Sequence, residues 1–277
     1  YLISLFISSS CSKDQMPIDR FAVVTRHNIH NSVIDSLNSL SVGNGKFAFT
    51  VDVTGLQTFP DFYAKGIPLG TMSEWGWHSN PNPENYSVSD VYRNYQVHGR
   101  SVDYVHQFRA ADGPRKAAAT DWLRANPHKI HLGMIGLQLM RKDGTDATIG
   151  DISDNTQSLY LATGSIESTF SIDGKQVHVL TVCHPDQDVV SARIESSLIG
   201  EGRLKLKISF PAAFAQWSGY DFNSPDKHVT RILRDDHDIT LFERTQDSDK
   251  YYVTLLHKNG TLKESSQHHY FVEPASS

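Results

Sequence analysis

The amino-acid sequence predicts an all-β fold of the sandwich kind, and three observations indicate it. Segments that alternate apolar and polar residues recur along the chain, as in strands with one buried face. Turn residues of the Asn, Asp and Gly types separate these segments. A single segment has the composition of a helix, which argues against alternating strands and helices. The chain has 277 residues, of which 39% are hydrophobic. This length suits one large domain, such as a sandwich of roughly 200–250 residues, or two small domains.

The first long strand is predicted in GKFAFTVDVTG (45–55), where Phe and Val alternate with small or polar residues. This period of two predicts one buried face. Gly43-Asn44-Gly45 leads into the segment and predicts a turn of positive-φ residues between two strands. A phosphate-binding loop would instead need further glycines and a following helix.

The tryptophan-rich segment PLGTMSEWGWHSNPNP (68–83) comes next. Its glycines and prolines predict a surface loop rather than a strand. One interpretation is a loop that folds back over the sandwich, with Trp75 and Trp77 as its buried contacts. The other is a carbohydrate site, in which the indole faces meet a sugar ring while Glu74 and His78 bind its hydroxyl groups.

One helix is predicted, in DGPRKAAATDWLRANP (112–127). Asp112 is a candidate cap, Pro114 suits the first turn, and Asn126-Pro127 ends the helix. We expect this lone helix to pack on the sandwich or to cover the edge of a sheet.

The second half of the chain is predicted to form short strands joined by turns. Asp173-Gly174 divides STFSIDGKQVHVLTV (168–182) into a hairpin. GRLKLKISF (202–210) alternates Leu, Ile and Phe with Arg, Lys and Ser, so one face is predicted to be buried. Further strands are predicted in DVVSARIESSL (188–198), in a hairpin over 228–245, and in YYVTLLHKNGTLKES (251–265) with a turn at Asn259-Gly260.

Charge and cysteine content exclude several classes of protein. A net charge of −5 argues against nucleic-acid binding, and no apolar run reaches the length of a membrane span. The second cysteine, Cys183, is predicted to be a buried, inert thiol. We interpret His184, Asp186 and Asp188 as a polar hairpin end rather than a metal site, and we expect neither a metal nor a cofactor.

The N-terminal YLISLFISSSCSKDQ has an apolar run, small residues and then Cys11. This pattern resembles the end of a bacterial lipoprotein signal, in which such a cysteine becomes lipidated. Residues 1–18 are therefore interpreted as a signal remnant and tether and are left out of the fold. We expect a periplasmic or outer-membrane lipoprotein of the bacterial cell envelope, which meets the membrane only through its lipid anchor. The alternative is a buried first strand with a chance cysteine.

Several motifs together resemble the N-terminal region of bacterial six-hairpin glycosidases, which are related to glycoside hydrolase family sixty-five. The resemblance covers residues 19–272. It implies a large, galactose-mutarotase-like β-super-sandwich with one or two short helices. The motifs are RHNIHN (26–31), SLSVGNGKFAFTVDVTGLQTF (39–59), GIPLGTMSEWGWHSNPNP (66–83), WLRANPHKIHLGMIGLQL (122–139) and VHVLTVCHPDQDVVSARIES (177–196).

The resemblance also implies a function. Such a sandwich is non-catalytic and supports a downstream (α/α)6 barrel of the same polypeptide, which carries the catalytic residues and acts on oligo- or polysaccharides. We expect that barrel to be absent from this chain, 273–277 to be a linker or truncation point, and the chain alone to be inactive. The tryptophan segment is expected to reach the sugar pocket of the barrel.

Two other functions stay open from the sequence. One is a stand-alone carbohydrate-binding lipoprotein, which needs no further domain. The other is an enzyme like aldose mutarotase, which needs a histidine and a glutamate facing one cleft. His178 and His184 lie on one face of a predicted strand, but the sequence does not identify the glutamate.

Overall fold

The computed structural model describes residues 18–213, 220–236, 238–258 and 260–274, so Cys11 and Asn259 lie outside it. Within these ranges the chain is an all-β protein built from antiparallel sheets, as the sequence predicts. Its strands are β1 (Ile29–Asn31), β2 (Leu40–Gly43), β3 (Phe47–Val51), β4 (Thr71–Ser73), β5 (Trp77–His78), β6 (Tyr92–Val97), β7 (Arg100–Val105), β8 (His128–Lys129), β9 (Met134–Leu139), β10 (Ser153–Tyr160), β11 (Ser165–Ile172), β12 (Lys175–Cys183), β13 (Val190–Glu195), β14 (Leu204–Ser209), β15 (Ala212–Ala213), β16 (Tyr220–Asp221), β17 (His228–Asp236), β18 (Ile239–Gln246), β19 (Asp249–Leu256), β20 (Gly260–Ser266) and β21 (His269–Pro274).

The strands form two larger sheets and several smaller ones. The larger sheets have the strand orders β1-β10-β11-β12-β13 and β20-β21-β14-β9. Three-stranded sheets contain β2-β3-β4 and β17-β18-β19, and the pairs are β5-β8, β6-β7 and β15-β16. Every strand pairing is antiparallel.

The main hydrophobic core lies between the inward faces of different sheets, which makes the fold a sandwich. Phe49 of β3, Phe170 of β11 and Val179 of β12 are fully buried in it. Leu137 of β9 and Leu204 of β14 contribute from the four-stranded sheet. A second cluster packs the other part of that sheet against β18, and it contains Ile208, Phe210, Phe242, Leu262, Tyr270 and Val272.

The local turn signals place most of the predicted hairpins correctly. Asp173 and Gly174 have φ values of 49° and 73°, as a two-residue turn between β11 and β12 requires. The segment 228–245 forms the hairpin of β17 and β18. The segment 251–265 differs from a simple hairpin, because β19 pairs with β18 while β20 pairs with β21 in another sheet.

The helices are more numerous than predicted, although most are very short. The predicted helix is α3, but its N-cap is Gly113, and the Asp112 carboxylate instead accepts a hydrogen bond from Arg109 N. In the described ranges, no helix is long and apolar enough to cross a membrane. The helices are α1 (Arg20–Thr25), α2 (Pro60–Tyr63), α3 (Pro114–Ala125) and α4 (Ser197–Gly200), with 3-10 turns at Val88–Val91, Ala110–Asp112, Ile149–Asp151 and Pro225–Lys227.

Helix α3 lies outside the main core. Its Ala119 packs with Val91 and Phe108 in a small separate cluster, next to the exposed hairpin of β6 and β7. The apolar partners of α3 in this cluster therefore come from the neighbouring segment 86–108 rather than from the main core.

The tryptophan segment is also not wholly a loop. Thr71–Ser73 forms β4, which pairs in register with β3, and Trp77–His78 forms β5, which pairs with β8. Pairing with β3 and β8 outweighs the turn-forming composition of the segment. Trp75 therefore lies in the connection between two short strands, and Trp77 begins the second of them.

Candidate functional site

The first candidate site is the tryptophan loop, residues 73–78, between β4 and the end of β5. The side chains of Trp75 and Trp77 are 52% and 48% exposed. Large flat apolar groups that remain half exposed are candidates for contact with a ligand or another protein surface.

Trp75 is held in place through its indole nitrogen. Its Nε1 donates to Oδ2 of Asp188 over 2.8 Å, and Ser73 Oγ donates to the same oxygen over 2.5 Å. The hydrogen bond from Ser73, and to a smaller extent that from Trp75, holds the pKa of the Asp188 carboxyl below its usual range. The Trp75 ring also lies against Tyr251, with 6.3 Å between ring centres. Its orientation is thus set by polar and aromatic contacts.

Trp77 is held by a cation. The ammonium of Lys129 lies 4.1 Å from the centre of its ring, a favourable cation–π geometry. The same ammonium donates to the carbonyl oxygens of Ser73 and Glu74, each over 2.8 Å. Lys129 therefore connects the loop backbone to the ring of Trp77.

The two polar residues predicted beside the tryptophans lie at different depths. The Glu74 carboxylate is exposed and lies 3.3 Å from the ammonium of Lys46. His78 is only 1% exposed, because alternation along β5 turns Trp77 outward and His78 inward. Its Nδ1 is 2.7 Å from Asp249 Oδ2 and its Nε2 is 3.1 Å from Asp247 Oδ2. The structure therefore brings Glu74 and the two indoles to the surface and places His78 beneath them.

The polar segment after β12, residues 184–188, is hydrogen-bonded to the tryptophan loop. Asp188 accepts the Trp75 hydrogen bond, while His184 Nδ1 accepts from the backbone N–H of Asp186. Nowhere in the described ranges does a group of three or more His, Cys, Asp or Glu residues form a metal-binding arrangement. Cys183 is half-buried, and burial raises the pKa of its thiol.

The two histidines considered for mutarotase chemistry differ in position and exposure. His178 is half-buried on the outer face of β12, with Glu195 of β13 directly opposite. His184 lies beyond the end of that strand and is exposed. The strand pairing thus supplies a glutamate beside His178, but it separates His184 from the pair.

A second candidate site was missed by sequence reasoning. It is a cleft of about 390 Å³ on the outer face of β9, β14 and β21, called here the sheet cleft. Cross-strand pairing brings Met134, Ser209 and His269 into one row and places Lys207 beside Gly136 in the next. These residues form its floor.

The walls of the sheet cleft come from other parts of the chain. On one side, the 57–61 segment packs closely on β9: a Cβ atom at Gly136 would lie 2.4 Å from Gln57 O. On the other side, Tyr220 and Phe222 lie edge to face, with ring centres 5.4 Å apart. The Phe222 ring is 5.5 Å from that of His269. The cleft therefore has one polar and one aromatic wall.

Three polar groups of the sheet cleft make no hydrogen bond or ion pair within the described part of the chain. Neither the Asp61 carboxylate nor the Lys207 ammonium makes a hydrogen bond or ion pair with the described part of the chain. The Tyr220 hydroxyl is buried, and no described residue bonds to it. Burial, followed by the nearby Asp61, raises the pKa of Tyr220 to about 12. Burial, followed by Lys207, lowers the pKa of His269. No single sequence motif indicates this site, because its residues come from five separate segments.

Comparison with known proteins assigns neither site. No protein-family model matches the chain, and no curated protein is similar enough to match it. The functional conclusions therefore rest on the geometry above and on the sequence resemblance.

Proposed function

We propose that this chain is the non-catalytic, carbohydrate-binding β-sandwich domain of a glycoside hydrolase. In this role it supports a downstream catalytic barrel and contributes the tryptophan loop to sugar binding. The observation that carries the proposal is the pair of half-exposed, rigidly held indoles, Trp75 and Trp77.

Indole rings suit this role for a physical reason. Pyranose rings have apolar C–H faces and polar edges, so they match a flat ring with nearby hydrogen-bonding groups. Asp188 occupies the indole N–H of Trp75, which leaves the ring as the exposed, apolar part. Because the rings are fixed before binding, little conformational entropy is lost when a sugar stacks on them. The exposed carboxylate of Glu74 supplies an acceptor for hydroxyl groups at the edge of the loop.

The first prediction tests the tryptophans directly. Trp75→Ala or Trp77→Ala should weaken oligosaccharide binding by about tenfold or more, which corresponds to about 1.4 kcal/mol. Isothermal titration calorimetry on the purified chain measures this effect. Since both rings are half exposed, the free energy of unfolding should change by less than about 1 kcal/mol.

Trp122→Ala is the matched control, because Trp122 lies on α3 and its Nε1 donates to Pro81 O over 3.2 Å. That variant should bind oligosaccharides normally. Unchanged binding in both loop variants, or a large loss of stability without loss of binding, would instead favour a purely structural role for the loop. Hydrolysis of aryl glycosides by this chain would contradict its non-catalytic assignment.

Two alternative functions can be tested separately. A coding sequence that stops after residue 277 would favour a stand-alone carbohydrate-binding lipoprotein, whereas several hundred helix-forming residues there would favour the glycosidase. One observation favours an enzyme like aldose mutarotase: His269 and Asp61, two residue types that transfer protons in enzymes, face the same cleft. Catalysed anomerisation of a free hexose, followed by NMR, would identify that enzyme.

A further inference from the structure

We propose that the sheet cleft binds a small hydroxylated carboxylate of the size of a sugar acid, at a site separate from the tryptophan loop. The carboxylate lies between Lys207 and His269, and the hydroxyl groups lie toward Asp61 and Tyr220. This proposal goes beyond the function of the tryptophan loop and does not depend on it.

The cationic end of the cleft is set by strand register. Ser209 of β14 lies directly opposite His269 of β21, and Lys207 is two residues earlier on the same face of β14. Lys207 and His269 are thus diagonal neighbours, roughly 7–8 Å apart between their backbones. A carboxylate between them would receive a hydrogen bond from the imidazole and pair with an ammonium that the described residues leave without an ion pair.

The opposite end favours hydroxyl groups. A buried hydroxyl without a partner is costly, and the hydroxyl of Tyr220 is in this state with respect to the described chain. A ligand hydroxyl that bonds to it would remove the cost. Asp61, as a carboxylate, only accepts hydrogen bonds. It therefore binds hydroxyl groups and repels a second carboxylate, which orients the ligand.

The size and the middle of the cleft fit such a molecule. A volume of about 390 Å³ lies at the lower end of the range for small-molecule pockets, about 300–1,000 Å³. The Phe222 ring in the wall offers apolar surface to the C–H groups of a ring, and the buried Met134 lies in the floor below. A carboxylate at one pole, hydroxyl groups at the other and a short carbon skeleton between them together describe a sugar acid.

The second prediction compares two ligands that differ mainly in one carboxylate. D-glucuronate should bind the full chain about tenfold or more tightly than D-glucose in calorimetry. Lys207→Met should remove this preference, and Lys207→Arg should keep most of it. Lys205→Met is the matched control, because Lys205 lies on the same strand face but pairs with Glu273 over 2.8 Å. That variant should bind like the parent protein.

A histidine NMR titration provides a readout besides affinity. A bound carboxylate offsets the positive charge of Lys207, so D-glucuronate should raise the pKa of His269, whereas D-glucose should not. D-glucose and D-glucuronate present the same pyranose faces to an indole ring, so a preference for the carboxylate that Lys207→Met removes separates this proposal from that for the tryptophan loop. Equal affinities for the two sugars, or no binding of millimolar glucuronate by folded protein, would overturn it.

Discussion

Asp188 orients a residue of the candidate binding surface without itself being expected to contact the ligand. It accepts hydrogen bonds from both Ser73 and Trp75, so it joins the segment after β12 to the tryptophan loop. Its effect on a ligand is indirect, through the orientation of an indole ring. This positioning role can be tested with substitutions of Asp188 that keep or remove its acceptor oxygen and leave Trp75 unchanged.

The third prediction follows from this arrangement. Asp188→Ala should lower oligosaccharide affinity roughly two- to tenfold, because ordering a freed side chain on binding costs about 0.5–1.5 kcal/mol. Asp188→Asn retains an acceptor oxygen and should lose less. Calorimetry compares the two variants, and the same full loss in both would show that the charge itself is needed.

Arg244 is the most unusual buried residue, since it is 1% exposed and no described carboxylate pairs with it. It donates to Thr230 Oγ1, to Pro211 O over 3.2 Å and to His228 Nδ1 over 2.5 Å. A guanidinium only donates, so His228 Nδ1 must accept and this ring must be neutral. The Thr230 hydroxyl lies 2.6 Å from His268 Nδ1, and His268 Nε2 donates to Pro225 O over 2.9 Å. A neutral His268 ring therefore accepts from Thr230 through Nδ1, and this hydrogen-bond chain requires a neutral His228.

Among the secondary-structure elements, α3 and the β6–β7 hairpin form the part least attached to the sandwich. An isolated two-stranded hairpin is marginally stable in water, and nearly every side chain of β6 and β7 is exposed. Phe108 is the main support of this region. It packs with Val91 and Ala119, and the Lys116 ammonium lies 4.6 Å from its ring centre.

The fourth prediction is that this region opens independently. Phe108→Ala should remove about 3–5 kcal/mol of local stabilisation, so amides of α3 should lose protection in hydrogen exchange while those of β11 and β12 keep theirs. Phe170→Ala, in the main core, is the control and should lower protection throughout. Uniform loss of protection in the Phe108 variant would mean that the region and the sandwich unfold as one unit.

The strands that the sequence predicts are those with local signals. The alternation in β3 and β14 and the Asp173-Gly174 turn follow from period and turn chemistry alone. Strands β4 and β5 were missed, because they are three and two residues long and exist through pairing with distant partners. The pairing of β20 with β21 rather than with β19 is equally non-local.

The candidate sites divide in the same way. Trp75 and Trp77 stand out in one contiguous segment, so composition alone suggests the tryptophan loop. The sheet cleft has no such signal, because Asp61, Lys207 and His269 meet only when β9, β14 and β21 pair. The alternation of apolar and polar residues within one strand does not indicate which strands become neighbours in a sheet.

The acid stability of the complete domain combines several buried groups. Burial lowers the pKa of His131 to about 4 and, with Arg244, that of His228 to about 3. Both bind protons in the unfolded chain below about pH 6.5 but stay neutral in the fold. Their contribution to stability is therefore complete above pH 6.5 and is lost as the pH falls. Asp52 acts in the opposite direction, since burial raises its pKa to about 6.

The fifth prediction is a net loss of stability in acid. Between about pH 6 and 4 the two histidines outweigh Asp52 by about one proton, so the free energy of unfolding should fall by at least about 1.4 kcal/mol per pH unit. The lowered pKa values of His128, His268 and His269, each caused mainly by burial, act in the same direction. Urea unfolding at pH 7 and pH 5 measures this fall.

Two variants check the assignment of the acid sensitivity. His228→Asn keeps an acceptor for Arg244 without a titrating ring, so it should reduce the slope. Asp52→Asn should make the slope steeper, because it removes the opposing group. A domain that is equally stable at both pH values would contradict the neutral state of the buried histidines.

Gly136 has a consequence that reaches from the interior to the surface. A methyl group there would displace the carbonyl of Gln57, and the same short segment carries Asp61 at the cleft wall. At position 136 there is therefore room between β9 and this segment for the hydrogen atom of a glycine but not for a methyl group. A larger side chain at position 136 would therefore both disturb the interior packing of β9 and move the wall of the sheet cleft that carries Asp61.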